Sequence, residues 1–209
     1  MQSPHIEVVS GITFYRGRLA GQEVVLAKSG VGKVFAAMCA QTMVLRYGVT
    51  RLFVSGVAGS LSKDLHIGDV VIATTCVQHD MDTSGIGDPV GLISTVNRMD
   101  FPTARQDEAR AALDGMGIAY RVGSVATGDW FATECDRARW IADTFRPLLI
   151  EMEGCAAAQV CWRNDVEFLA LKSVSDCVLA HHDFYFNFPQ AMRDLNKTAL
   201  PLAERLLEG

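Results

Sequence analysis

Four short apolar runs in this chain end alike, on small, polar or acidic residues. Residues 51–55 lead into Gly56-Val57-Ala58-Gly59-Ser60, 121–126 into Thr127-Gly128-Asp129-Trp130-Phe131, 148–150 into Glu151-Met152-Glu153-Gly154, and 168–174 into Ser175-Asp176. Apolar runs this short read as buried strands. The segments between them carry helical patterns, and strands alternating with helices predict an α/β fold. Open α/β sheets bind ligands beyond the carboxyl ends of their strands, and small residues there let a ligand approach the backbone. A tight turn without a ligand is the alternative for each run end taken singly. Four together define a candidate site. Trp130 and Phe131 could stack there on a flat ligand, although core packing is the commoner role of such residues.

The acids of the third run leave two readings open. Side chains alternate along a strand, so Glu151 and Glu153 share a face if the strand continues that far. Gly154 also releases the chain into the Ala-rich residues 155–161, and carboxylates at a helix N-terminus are favoured by its dipole.

The rest of the chain frames these runs. Residues 6–9, 12–15 and 23–27 read as a meander of short strands separated by Gly-containing turns. Ser29-Gly30-Val31-Gly32-Lys33 follows, a glycine turn of the kind that binds anions before a helix. The P-loop spacing is absent, since Ala27 and Val34 occupy its first Gly and its Ser/Thr positions. Helix 34–47 is expected to bury the stripe Phe35, Met38, Thr42 and Leu45. Strand 70–77 delivers Gln78-His79-Asp80-Met81-Asp82. His79, Asp80 and Asp82, with His181, His182 and Asp183, have ligand chemistry but no diagnostic spacing, and no metal is predicted. Residues 84–100 read as a long surface loop and 104–114 as a helix. Thr133-Glu134-Cys135-Asp136 resembles a capping box opening a helix to residue 145. A final helix carries Phe188, Met192, Leu195, Ala199, Leu202 and Leu206 at helical spacing, with Pro201 expected to kink or interrupt it.

Composition narrows the class. A chain of 209 residues, 49% of them hydrophobic, is expected to form one domain spanning 1–209. A net charge of −5 without a Lys/Arg run argues against nucleic acid. No apolar run reaches the length of a membrane span and no signal core opens the sequence, so a cytoplasmic protein with a small-molecule partner is expected. The six cysteines form no C-x-x-C pair and read as reduced, buried thiols.

Taken in order, Ser29-Gly30-Val31-Gly32-Lys33, Ser55-Gly56-Val57-Ala58-Gly59-Ser60-Leu61, Gln78-His79-Asp80, Thr127-Gly128-Asp129-x-Phe131, Glu151-Met152-Glu153-Gly154 and Ser175-Asp176 resemble the 5'-methylthioadenosine/S-adenosylhomocysteine nucleosidases of the nucleoside phosphorylase superfamily. The resemblance runs from Ile12 to the C-terminus. It implies a three-layer α/β sandwich around a mixed, partly barrel-like sheet, a homodimer with residues 78–87 near the partner, and no cofactor. The implied reaction is hydrolysis of the bond between adenine and a 5'-substituted ribose, in methionine salvage. By the same resemblance Asp176 donates a proton toward adenine N7, a role that needs the raised pKa burial supplies. Glu153 binds the ribose hydroxyls and favours an oxocarbenium-like sugar, with Met152 beside it. Phe131 stacks on adenine, Ala132 reads its edge through the backbone, Ala58 and Gly59 give backbone contacts, and Ser175 and Lys172 support Asp176.

The sequence also departs from the pattern. Family members usually begin with a strand and a G-A-M-x-E-E type segment whose glutamate activates water, and no such segment precedes Pro4. Glu7 falls in the next strand and is not expected to replace it. The alternatives are an upstream start, or a catalytically impaired nucleoside-binding protein with an exposed sheet edge. Lys172 stands where Arg is common, and Val57 where Ser is frequent. The residues around 55–60 include no Arg of the kind phosphorylases use for phosphate, so hydrolysis is favoured over a purine nucleoside phosphorylase.

Overall fold

The computed structural model describes residues 2–179 and 188–208. It opens on an antiparallel meander, β1 (Gln2–Val9), β2 (Ile12–Leu19) and β3 (Gln22–Ala27), as the Gly-punctuated runs predict. Helix α1 (Lys33–Tyr47) then leads to β4 (Arg51–Ser60) and β5 (Val70–Gln78). The predicted loop over residues 84–100 contains a single 3-10 turn (Ser84–Ile86) and runs into a short strand, β6 (Asp100–Pro102). The remaining elements are α2 (Gln106–Gly115), β7 (Tyr120–Thr127), α3 (Cys135–Phe145), β8 (Leu149–Glu151), α4 (Gly154–Arg163), β9 (Glu167–Cys177) and α5 (Phe188–Glu208).

Five strands close on themselves in the order β5-β7-β8-β4-β9, because β9 returns to pair with β5. Three of these pairings are parallel and two antiparallel, which makes the expected mixed, barrel-like sheet. Helices cover both faces of β9, whose residues 168–176 are all buried. A strand covered on both sides carries a continuous apolar run rather than an alternating one. On the side away from β9, β4 meets a strand only at Gly59 and Ser60, through β8. Residues 51–58 therefore present an open edge among the described residues.

Four expectations need correction. Gly56-Val57-Ala58-Gly59-Ser60 does not follow a strand but continues it, with β4 paired to β9 as far as Ser60. The face of α1 is the opposite one: Ala36, Cys39, Ala40 and Met43 are buried, while Phe35 is 48% and Leu45 77% exposed. α1 packs on the Ala-rich α4, and close helix approach selects small residues over large ones. α3 starts one residue later than a capping box requires, on Glu134 without a side-chain cap. Of the two outcomes expected at Pro201, interruption is ruled out: α5 runs through it, buried along Ala191, Leu195, Thr198, Ala199, Leu202 and Leu206.

Candidate active site

β8 ends on Glu151 and α4 begins at Gly154, so only two residues separate a buried strand from a helix. The Glu151 carboxylate turns inward. It accepts the backbone N–H groups of Glu153 (3.1 Å) and Gly154 (2.7 Å), neutralising part of the helix N-terminus. Lys172 Nζ of β9 lies 2.7 Å from its Oε2, and Thr127 donates its hydroxyl to Oε1. Thr127 also accepts the Cys155 N–H at 2.8 Å. Burial alone would raise the Glu151 pKa, but the Lys172 charge and these donors hold it below its ordinary value. Glu151 is therefore an ionised internal anchor. Lys172 does not support Asp176, as the resemblance implied, but pairs with Glu151 above Gly56, whose missing side chain leaves it room.

Glu153 turns the other way. As N-cap of α4 it faces a cleft of about 250 Å³ lined by Ala58, Gly59, Phe131, Ala132, Met152, Ser175 and Asp176 among others. Its Oε1 accepts the Gly32 N–H at 2.9 Å. Burial and the nearby Glu151 charge raise its pKa. Asp176 enters the cleft from the end of β9, 3% exposed. Burial pushes its carboxyl up, opposed by the Ser175 hydroxyl, which donates to Oδ1 at 2.7 Å.

A bulge aims Asp176. Ala58 pairs with Val174 but Gly59 with Asp176, leaving Ser175 as an extra residue on β9. An extra residue resets the two-residue alternation and re-aims the side chains beyond it. Gly59 sits directly opposite, and a Cβ there would lie 3.0 Å from Asp176 Oδ2.

The glycine turn before α1 does bind anions, and they are the protein's own. Gly30 and Gly32 adopt positive φ, presenting the Gly32 N–H to Glu153 and the Lys33 N–H to Asp129 Oδ1 at 2.8 Å. Lys33 Nζ bonds Asp80 Oδ1 at 2.7 Å and Gln78 Oε1 at 3.1 Å. Asp80 is thus committed to an ion pair. Among the described residues no group of three His, Cys, Asp or Glu is placed to hold a metal. His181, His182 and Asp183 lie outside the described residues.

Every cleft residue implied by the resemblance except Lys172 lines this one cleft. Sequence reasoning missed Val31, Ile150 and Phe188 as lining residues, whereas Trp130, named with Phe131 as a stacking candidate, does line the cleft. Val31 was signalled by its place between two glycines. Glu7 stands apart, bound by Arg46 and Tyr47, and the Arg46 hydrogen bond lowers its pKa to about 2.

A buried acid able to keep its proton, a carboxylate facing the same cleft and an aromatic wall suit acid-assisted cleavage of a bond between a sugar and a flat base. That arrangement supplies groups of the kind a glycosidic hydrolase uses, on an α/β barrel-like sheet. The model of the Phosphorylase superfamily matches residues 1–208. The 5'-methylthioadenosine/S-adenosylhomocysteine nucleosidase of Bacillus thuringiensis is 36% identical over 183 residues, covering 84% of this chain and 78% of that protein. The aminodeoxyfutalosine nucleosidase of Helicobacter pylori is 34% identical over 169 residues, covering 80% and 74%. The crystal structure of the Campylobacter jejuni 5'-methylthioadenosine/S-adenosyl homocysteine nucleosidase superposes with a TM-score of 0.90 at 28% identity, covering 98% of this chain and 90% of that one. The chain belongs to the phosphorylase superfamily and, within it, to the nucleosidases, enzymes that hydrolyse N-glycosidic bonds.

Proposed function

We propose that this cleft hydrolyses the N-glycosidic bond of 5'-methylthioadenosine, S-adenosylhomocysteine and related 5'-substituted adenosines, releasing adenine, as a step of methionine salvage. The observation that carries the reading is the placement of Asp176 and Glu153 in one cleft with Phe131 and Ala132. Asp176, its pKa raised by burial, protonates the purine so that it departs as a neutral base. Glu153 holds the ribose hydroxyls, and its charge favours the cationic sugar of the transition state. Phe131 stacks on adenine, Ala132 offers backbone groups to its edge, and Met152 packs on the ribose.

The test is adenine release from 5'-methylthioadenosine in phosphate-free buffer, with S-adenosylhomocysteine, 5'-deoxyadenosine and aminodeoxyfutalosine as a panel. Strict phosphate dependence would replace hydrolysis by phosphorolysis. No release from any member of the panel would overturn the reading. The same reading takes the working form to be a cytoplasmic homodimer. The exposed Val34, Phe35 and Leu45 of α1 support an apolar contact, and a monomeric mass in light scattering would refute it.

A further inference from the structure

Lys33 and Asp80 touch neither the purine wall nor the ribose carboxylate, yet they join the loops that carry both. Lys33 opens α1, Asp80 follows β5 and Asp129 follows β7. Their bonds close a ring: Lys33 Nζ to Asp80 Oδ1 at 2.7 Å, Asp129 N–H to Asp80 Oδ2 at 2.9 Å, and Lys33 N–H to Asp129 Oδ1 at 2.8 Å. Each side of the ring continues into the cleft. Asp129 precedes Trp130, Phe131 and Ala132, which line it. Gly32, one residue before Lys33, donates to Glu153 Oε1 at 2.9 Å. The contact is close, since a Cβ on Gly32 would sit 3.0 Å from Asp129 Oδ1. Gln78 extends the ring toward α4, accepting from Lys33 Nζ at 3.1 Å and donating to Gln159 at 2.8 Å.

We propose that Lys33 and Asp80 are positioning residues, whose ion pair sets the distance between the aromatic wall that holds the base and the Glu153 carboxylate that holds the sugar. The inference rests on the nucleosidase reading of the cleft. Base and sugar are joined by the bond to be broken, so the wall and Glu153 must be spaced for that bond, and a misplacement of about 1 Å can lower a rate about 100-fold. Each side chain of the pair keeps about a fifth of its exposure, 21% for Lys33 and 18% for Asp80. The pair links the start of α1 to the residues after β5, and its consequence for the cleft is geometric.

The experiment compares wild type, Lys33→Met, Asp80→Asn and the double variant. Each single change lowers kcat for 5'-methylthioadenosine by about tenfold or more while KM moves less than about threefold, and the double variant is no worse than the poorer single one, as for residues acting as a unit. Rates of the single variants within about twofold of wild type, or losses that multiply in the double, overturn the proposal. Hydrogen exchange supplies a readout independent of turnover. Asp80→Asn speeds amide exchange at both Lys33 and Asp129, and unchanged exchange at Lys33 overturns the coupling even in an active enzyme. A wild type without turnover, together with faster exchange in Asp80→Asn, sinks the nucleosidase reading and supports the coupling of the two walls.

Discussion

Lys172 Nζ and Glu151 Oε2 stand 2.7 Å apart, with side chains only 2% and 1% exposed. The pair ties β9 to the start of α4 at the floor of the cleft, which Glu151 helps to line. Removing one partner of a buried pair strands the other charge, at a cost of about 3–5 kcal/mol. Lys172→Met is expected to lower unfolding stability by that order in urea titrations. Because Lys172 does not contact Asp176, the alkaline pKa of the rate profile stays where it is in wild type. A shifted alkaline limb with unchanged stability would return Lys172 to the role the resemblance implied.

The proton of Asp176 gives a pH signature. Burial raises its pKa, so the folded protein holds this proton at pH values where the unfolded chain has lost it. Its contribution to stability is full below the ordinary aspartate value and is lost as pH rises through the folded value. Activity follows the same direction, since the acid must be protonated to donate. kcat/KM is expected to fall as pH rises through the raised pKa. Asp176→Asn removes that limb, lowers kcat about 10²–10⁴-fold and melts higher than wild type at alkaline pH. A variant whose alkaline limb persists would assign that limb to another group.

Glu153 has the opposite requirement, acting as an anion. Its pKa is also raised, by burial and by the Glu151 charge, so kcat/KM falls as pH drops through that value. Glu153→Gln is expected to abolish the acidic limb and lower kcat/KM for nucleosides about 100-fold, the scale of an electrostatic contact strongest in the transition state. Free adenine, which has no ribose, binds the variant as it binds wild type. Calorimetric titration with adenine and with 5'-methylthioadenosine separates the two effects.

How far the sequence carried this reading depends on which interactions were local. The barrel strands were legible because burial on both faces writes continuous apolar runs, as in residues 168–174 of β9. The cleft was legible because its residues sit at run ends. The division between Glu151 and Glu153 was not. Strand alternation put both acids on one face, but the strand stops at Glu151, which bonds the N-terminus of α4 and is drawn inward by Lys172, 21 residues further on. Nor could spacing place Lys172 and Asp176 correctly, because the bulge at Ser175 resets the alternation between them. The buried face of α1 was hidden for a different reason. Its large apolar residues are the exposed ones, and the small ones were chosen by the approach of α4.

Gly59 offers the sharpest test of how the bulge aims the proton donor. A Cβ at this position would meet Val178 Cγ2 at 2.7 Å, Asp176 Oδ2 at 3.0 Å and Ile150 Cγ2 at 3.3 Å. No L side chain fits without displacing at least one of them, and Val178 and Ile150 are themselves buried. Gly59→Ala is therefore expected to lower stability by about 1–3 kcal/mol, the usual range for overpacking. It also moves the Asp176 carboxylate, so kcat falls about tenfold or more at temperatures where the variant remains folded. Gly68 is the control, having positive φ and nothing within 4 Å of its Cβ position. Gly68→Ala carries backbone strain alone, and its kcat stays at the wild-type value. Equal losses of kcat in the two variants would show that general destabilisation, rather than the approach of Gly59 to Asp176, governs the rate.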